Sequence, residues 1–84
     1  RTMNKVVIYS KDDCVYCDRS IASAKQLNAA YGVKLVVLKL QEDYSLEEFR
    51  MIFPNATTFP QIVVDGEKAG GWQEFTDLVM NTEF

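Results

Sequence analysis

The sequence predicts a small α/β domain whose strands and helices follow one another in the order β-α-β-α-β-β-α. Runs of aliphatic residues alternate along the chain with segments whose apolar residues recur every three or four positions. Helix caps and turn residues separate these segments. The chain has 84 residues, of which 48% are apolar, so it can bury one compact core and not two. We therefore expect a single domain over residues 1–84.

The first half of the chain predicts a βαβ unit. Residues 5–9 predict a strand, and the unbroken apolar run 6–9 within it is typical of a central strand buried on both faces. A helix should begin at Cys14 and end at Gly32, and a second buried strand should follow at 34–39. Because a helix joins the two strands, they should be parallel with a right-handed crossover. The inner face of this helix should carry Cys17, Ile21, Ala24, Leu27 and Tyr31.

A second helix is predicted by the spacing of Ser45 and Glu48, which matches a capping box. This helix should end before Pro54, since a proline disfavours helical backbone at the residue before it. Its apolar residues are Leu46, Phe49, Ile52 and Phe53.

The remaining elements are a hairpin and a last helix. Residues 61–64 predict a third strand, and the two-residue turn Asp65-Gly66 leads into a short fourth strand at 67–69. A final helix should open at Gly70-Gly71. Its inner face should carry Phe75, Leu78, Val79 and Thr82.

Composition excludes several classes of function. No apolar run approaches the ~20 residues that a membrane-spanning helix needs. Twelve Asp and Glu against nine Lys and Arg give a formal charge of −3, which argues against broad nucleic-acid binding. No signal peptide precedes the first apolar run, and Arg1-Thr2 before Met3 indicates an added remnant with a native start at Met3. We expect neither a membrane nor a nucleic acid as partner.

The two cysteines, Cys14 and Cys17, form one Cys-x-x-Cys unit at the predicted strand-to-helix junction, and the chain has no histidine. A bridge across two intervening residues closes almost no loop, so it would stabilise the fold little. The unpaired N–H groups at a helix N-terminus favour a thiolate. We expect Cys14 to be the exposed nucleophile and Cys17 the sheltered resolving thiol of thiol–disulfide exchange.

Charged neighbours of Cys14 oppose one another. Lys11 favours the thiolate, whereas Asp12 and Asp13 disfavour it, so we expect a moderate lowering of the thiol pKa. Two other interpretations of the cysteine pair remain open. A zinc site would need ligands beyond two cysteines, and we expect no metal. Two buried cysteines that only fill space are the other interpretation.

Three segments together resemble the glutaredoxin family: residues 9–17 (YSKDDCVYC), 57–61 (TTFPQ) and 70–74 (GGWQE). The resemblance implies a thioredoxin-like fold, a four-stranded mixed β-sheet flanked by three helices. It implies glutathione as the reductant and no permanently bound cofactor. The small size and Val15 are similar to phage-encoded glutaredoxins, which would place the protein in a host-cell cytoplasm.

The resemblance also implies a glutathione groove beside Cys14. Pro60 resembles the family's cis-proline, which would turn the backbone of Phe59, next to Thr58, toward the cysteine, where it can pair with a thiol peptide as a strand would. Without the resemblance, this segment is equally compatible with a plain trans turn.

Further groove residues follow from the same resemblance. Lys11 would meet the glycyl carboxylate of glutathione, and Tyr16 would line the groove with its ring. Gly71, Gln73 and Glu74, at a helix start, would hold the γ-glutamyl end, with Glu74 facing its ammonium group. Taken alone, each could be an ordinary surface charge, surface aromatic or turn residue.

Two positions depart from the family pattern. Gln73-Glu74 stands where the family often has Ser, Thr or Asp followed by Asp. Glu47 stands where the family often offers Arg or Gln to the glycyl carboxylate, and Arg50 is a candidate substitute. We expect weak, salt-sensitive glutathione binding.

The sequence therefore predicts a monomeric dithiol glutaredoxin that reduces protein disulfides and glutathione mixed disulfides in the cytoplasm. Clients implied by the resemblance are ribonucleotide reductase and glutathionylated proteins. Two alternatives are a redoxin of similar fold that is reduced by thioredoxin reductase, and a dimer that holds an iron–sulfur cluster through Cys14 and glutathione.

Overall fold

A computed structural model describes residues 2–84; Arg1, part of the expected remnant, lies outside them. The element order matches the prediction, and only a few bounds move by a residue. The elements are β1 (Lys5–Ser10), α1 (Val15–Tyr31), β2 (Lys34–Lys39), α2 (Leu46–Ile52), β3 (Gln61–Val64), β4 (Glu67–Gly70) and α3 (Trp72–Met80).

The four strands form one mixed sheet in the order β2-β1-β3-β4, which confirms the predicted fold class. β1 runs parallel to β2 and antiparallel to β3, and β4 returns antiparallel to β3. The central place predicted for β1 is confirmed, and its Val6 and Ile8 are fully buried. The buried position predicted for β2 is wrong. β2 is an edge strand, and its Val37 is 39% exposed. The prediction failed because an aliphatic run does not distinguish a central strand from an edge strand.

The main core lies between the sheet and the helices α1 and α3. One correction concerns the inner face of α1: Ser20 is fully buried there, whereas Tyr31 is 57% exposed and stacks on Phe84. A helix of this length spans ~26 Å and a six-residue strand only ~20 Å, so the last turn extends past the sheet. The core residues are Met3, Val6, Ile8, Ala24, Leu27, Val33, Ile62, Val64 and Phe75.

An aromatic cluster on the other side of the sheet is built around α2. The predicted capping box is confirmed: Ser45 Oγ accepts the N–H of Glu48 at 3.0 Å, and Glu48 Oε1 accepts the N–H of Ser45 at 2.9 Å. Phe49 is buried and stacks on Phe59 with ring centroids 4.4 Å apart. Through this contact α2 packs against the loop that precedes β3.

The hairpin between β3 and β4 turns at Asp65 and Gly66, whose φ angles of 50° and 82° are those of a type I′ turn. The Asp65 carboxylate also accepts the backbone N–H of Lys5 at 2.8 Å. The turn is thereby tied to the start of β1. The hairpin delivers the chain to α3, whose Phe75 is fully buried.

Candidate active site

Cys14 is the N-cap residue of α1, and Cys17 lies one turn along the helix, as the sequence predicts. The two form a disulfide with their Cα atoms 5.2 Å apart. The backbone N–H of Cys17 donates to Cys14 Sγ at 3.2 Å. In the reduced protein the same N–H is placed to stabilise negative charge on the Cys14 sulfur.

The exposures of the two cysteines differ from the prediction in one respect. Cys17 is 1% exposed, so its sheltered position is confirmed. Cys14 is only 9% exposed in the disulfide form, so the prediction of an exposed sulfur is wrong for this state. Its side chain turns inward toward Cys17 and lies 3.8 Å from the carbonyl oxygen of Phe59.

The loop before Cys14 carries charges that the structure partly neutralises. Asp12 Oδ1 lies 2.6 Å from Lys39 Nζ at the end of β2. The hydrogen bond and charge of Asp12 raise the pKa of Lys39, with a smaller contribution from Glu42. Asp13 has a φ of 53°, the left-handed conformation that leads the chain into the helix cap. The carboxylate of Asp12 therefore opposes a Cys14 thiolate less than its sequence position suggests.

The Phe59–Pro60 bond is cis, as the family resemblance implied, and Pro60 is fully buried. The carbonyl oxygen of Thr58 accepts a hydrogen bond from Gln61 Nε2 at 3.0 Å, which fixes the loop just before the proline. Lys11 lies against this loop, with its Nζ 5.7 Å from the centroid of the Phe59 ring. Phe59 therefore lies close to both Cys14 and Lys11.

A cavity of about 550 Å³ brings most of the predicted groove residues together. Arg19 and Trp72, which the sequence analysis did not single out, also line it. Arg19 follows Tyr16 by three residues on α1, and this spacing could have revealed it. Lys11, Glu47 and Arg50 do not line this cavity. Its walls are Tyr16, Arg19, Thr58, Phe59, Gly71, Trp72, Gln73 and Glu74.

Gln73 and Glu74 have partners within α3. Glu74 Oε1 accepts the backbone N–H of Gly71 at 2.8 Å, which is half of a capping box because Gly71 has no side chain to return the bond. Gln73 Nε2 donates to Asp77 Oδ1 at 3.1 Å. These two bonds stabilise the start of α3 at the wall of the cavity.

Comparison with known proteins decides the family. Residues 6–69 match the family model described as Glutaredoxin. The chain belongs to the glutaredoxin family. The disulfide at the start of α1 is therefore the redox pair of a thiol-disulfide oxidoreductase.

Individual glutaredoxins support the same assignment. Glutaredoxin 3 of Escherichia coli (strain K12) is 35% identical over 76 residues, which cover 90% of this chain and 87% of the relative. The structure of reduced Escherichia coli glutaredoxin superposes with a TM-score of 0.79 at 26% identity and covers 93% of this chain and 95% of that one. The solution structure of glutaredoxin from Brucella melitensis superposes with a TM-score of 0.62 at 28% identity and covers 95% of this chain and 83% of that one.

The structure gives one finding about membranes. No helix in the described residues 2–84 is long and apolar enough to cross a bilayer.

Proposed function

We propose that this chain is a glutathione-dependent oxidoreductase that reduces protein disulfides and glutathione mixed disulfides. The observation that carries the proposal is the position of Phe59. Its carbonyl oxygen lies 3.8 Å from Cys14 Sγ, and the residue lines the cavity that most of the other predicted groove residues also line. A thiol peptide of the size of glutathione would fit a cavity of about 550 Å³ and still reach the sulfur.

The proposed reaction uses the two cysteines in sequence. The Cys14 thiolate attacks one sulfur of the client disulfide, the client S–S bond breaks, and a mixed disulfide forms with Cys14. Cys17 then attacks Cys14 Sγ, the reduced client thiol leaves, and the Cys14–Cys17 disulfide remains. Two glutathione thiols reduce this disulfide and leave as oxidised glutathione, so two electrons pass from glutathione to the client.

The proposed glutathione site uses backbone and charge. The backbone of Phe59, beside Thr58 and the cis Pro60, would pair with the cysteinyl part as a neighbouring strand would. Lys11, whose Nζ is held against the Phe59 ring, would meet the glycyl carboxylate. Tyr16 would form the wall beside the sulfur.

The γ-glutamyl end would meet the first turn of α3, at Gly71, Gln73 and Glu74. One Glu74 oxygen already accepts the Gly71 N–H, and the second remains for the γ-glutamyl ammonium group. Neither Glu47 nor Arg50 lines the cavity, so α2 contributes no charge to it.

We further infer that residues 1–84 act as one domain and as a monomer, with no permanently bound cofactor. A dithiol reductant works where the surroundings keep its cysteines reduced, so a cytoplasm suits it. Glutathionylated proteins and ribonucleotide reductase are clients of the class that such a reductant would serve.

A coupled assay tests the proposal. The protein is given a disulfide substrate with either glutathione, glutathione reductase and NADPH, or thioredoxin reductase and NADPH. We expect NADPH to be consumed quickly only in the glutathione arm. Fast turnover only with thioredoxin reductase would establish the alternative redoxin, and a brown dimer after anaerobic purification would establish the cluster-binding protein.

A further inference from the structure

Arg19 lines the cavity and contacts the ring of Tyr16. Its guanidinium carbon lies 5.3 Å from the centroid of the Tyr16 ring, one turn back on α1. At this distance the guanidinium makes a cation–π contact with the ring, and such a contact does not use the N–H groups of the guanidinium. Among residues 2–84, no ion pair joins Arg19 to a carboxylate. The cavity is thus lined by a cation that contacts Tyr16 and has no carboxylate partner among the described residues.

Across the same cavity lies the opposite charge. Glu74 lines the α3 wall, and its Oε1 accepts the N–H of Gly71. A carboxylate has about four acceptor positions, so this one bond leaves most of its capacity and all of its charge available. The cavity therefore has a positive wall on α1 and a negative wall on α3. A ligand with only one sign of charge would be repelled by one of them.

We propose that Arg19 is a specificity-determining residue that binds the α-carboxylate of the γ-glutamyl group of glutathione. The inference rests on the proposed function and adds a side-chain partner for the γ-glutamyl carboxylate, whereas the sequence assigned this end of glutathione only to the start of α3. The α-carbon of this group carries a carboxylate and an ammonium side by side. Arg19 takes the carboxylate and Glu74 takes the ammonium, so the zwitterion is oriented across the cavity.

This arrangement explains how the chain holds glutathione without a cation from α2. Neither Arg50 nor Lys11 lines the cavity, and Lys11 Nζ lies 5.7 Å from the centroid of the Phe59 ring. Lys11 is therefore placed for the glycyl end, and Arg19 for the γ-glutamyl end. Arginine suits this position better than lysine, because its planar fork can bind both carboxylate oxygens while it stacks on tyrosine.

Three thiol compounds allow the carboxylate and the ammonium of the γ-glutamyl group to be tested one at a time. Glutathione carries both, glutaryl-cysteinylglycine keeps the carboxylate and lacks the ammonium, and 4-aminobutyryl-cysteinylglycine keeps the ammonium and lacks the carboxylate. Each is joined as a mixed disulfide to the same uncharged reporter peptide. In Cys17→Ser protein, the Cys14 thiolate attacks the sulfur of the small thiol, and the peptide leaves as its thiolate. The mass of the Cys14 adduct identifies the group transferred, and its growth gives the second-order rate constant.

The expected pattern depends on which charge is present. Adding Arg19→Gln should slow transfer of the glutathione and glutaryl groups about fivefold, the upper range for one exposed ion pair, and should leave the 4-aminobutyryl group unchanged. Arg19→Lys should recover part of the loss. Glu74→Gln should give the converse pattern and slow only the two groups that carry the ammonium. Lys25→Gln, an exposed residue further along α1, is the control and should change none of the three rates.

Two results would overturn the inference. Arg19→Gln could slow all three groups equally, which would mean that it acts on Cys14 or on the fold, or it could slow none. Failure of the proposed function looks different: protein with Arg19 intact would then transfer the glutathione group no faster than an N-acetylcysteine group. A clear preference for glutathione combined with either Arg19→Gln result would leave the proposed function standing and remove only Arg19 from it.

Discussion

Lys39 Nζ lies 2.6 Å from Asp12 Oδ1, so the end of β2 is tied to the loop that carries the redox cysteines. The backbone strengthens this tie, because the N–H of Leu40 donates to the carbonyl oxygen of Ser10. Both partners of the ion pair reach solvent, so its contribution to the free energy of unfolding is small. Its effect on Cys14 is electrostatic, since it offsets a negative charge two residues from the sulfur.

We therefore expect Lys39→Gln to raise the pKa of the Cys14 thiol. The expected shift is a small fraction of a pH unit, because one exposed charge acts on the sulfur through water. The pH dependence of Cys14 alkylation measures it, and the shift should shrink in 1 M salt. Lys34→Gln, at the opposite end of β2, is the matched control. An equal shift in both variants would show that only net charge matters.

The two cysteines should be separable by substrate. Cys14→Ser should abolish all exchange, because Cys17 is 1% exposed and can only resolve a disulfide that Cys14 has formed. Cys17→Ser should trap mixed disulfides with protein clients and still reduce glutathione mixed disulfides, where free glutathione can take over the second step. Non-reducing gels and steady-state rates on both substrate types give the comparison. Equal losses in both variants for both substrates would contradict the scheme.

Tyr44 should make stability fall at high pH. Its hydroxyl donates to the Ser10 carbonyl oxygen, and burial, followed by the charges of Tyr9 and Asp43, raises its pKa to about 12. The folded state therefore holds this proton more tightly than the unfolded state, whose tyrosine titrates near ~10. The stabilisation is complete below pH ~10 and is lost as the pH rises toward about 12.

Tyr44→Phe tests this prediction and keeps the ring contacts with Tyr9 and Phe49. It should cost ~1 kcal/mol of unfolding free energy at pH 7, the usual net value of one hydrogen bond. The difference in unfolding free energy between the variant and the wild type should become smaller between pH 10 and 12. Denaturant unfolding at pH 7, 9 and 11 measures it. A difference that stays constant over this range would show that the Tyr44 pKa is not raised.

Glu74 should contribute to both stability and glutathione affinity, and two substitutions separate these effects. Glu74→Gln keeps an oxygen for the Gly71 N–H and removes the charge, so it should raise KM for glutathione up to ~5-fold with little change in stability. Glu74→Ala should also remove the hydrogen bond that caps the helix, which should lower the free energy of unfolding by ~0.5–1 kcal/mol. Glu83→Gln, near the C-terminus and outside the cavity, should change neither. An unchanged KM in Glu74→Gln would remove Glu74 from the glutathione site.

Sequence patterns predicted the elements well because each carries its own local signal. The capping box at Ser45 and the Asp65-Gly66 turn depend only on neighbouring residues, and both occur as predicted. The errors concern properties that depend on distant parts of the chain. The edge position of β2 follows from which strands pair, and the exposure of Tyr31 from the length of α1 relative to the sheet.

The site shows the same division. Cys14 at the start of α1 was predictable from spacing, whereas the Asp12–Lys39 pair joins residues 27 positions apart in sequence and appears only when β1 and β2 align. The i, i+3 spacing of Tyr16 and Arg19 could have predicted that Arg19 lies beside Tyr16. That Arg19 and α3 line the same cavity could not be predicted, because no local pattern in α1 encodes the position of α3.

The most direct test of the account is alkylation of the reduced protein by iodoacetamide as a function of pH, with the modified cysteine mapped by mass. Cys14 caps α1 and accepts the N–H of Cys17, so it should react first, with a midpoint clearly below the free-thiol value of ~8.5. A midpoint at that value, or modification of Cys17 before Cys14, would contradict the assignment of Cys14 as the nucleophile.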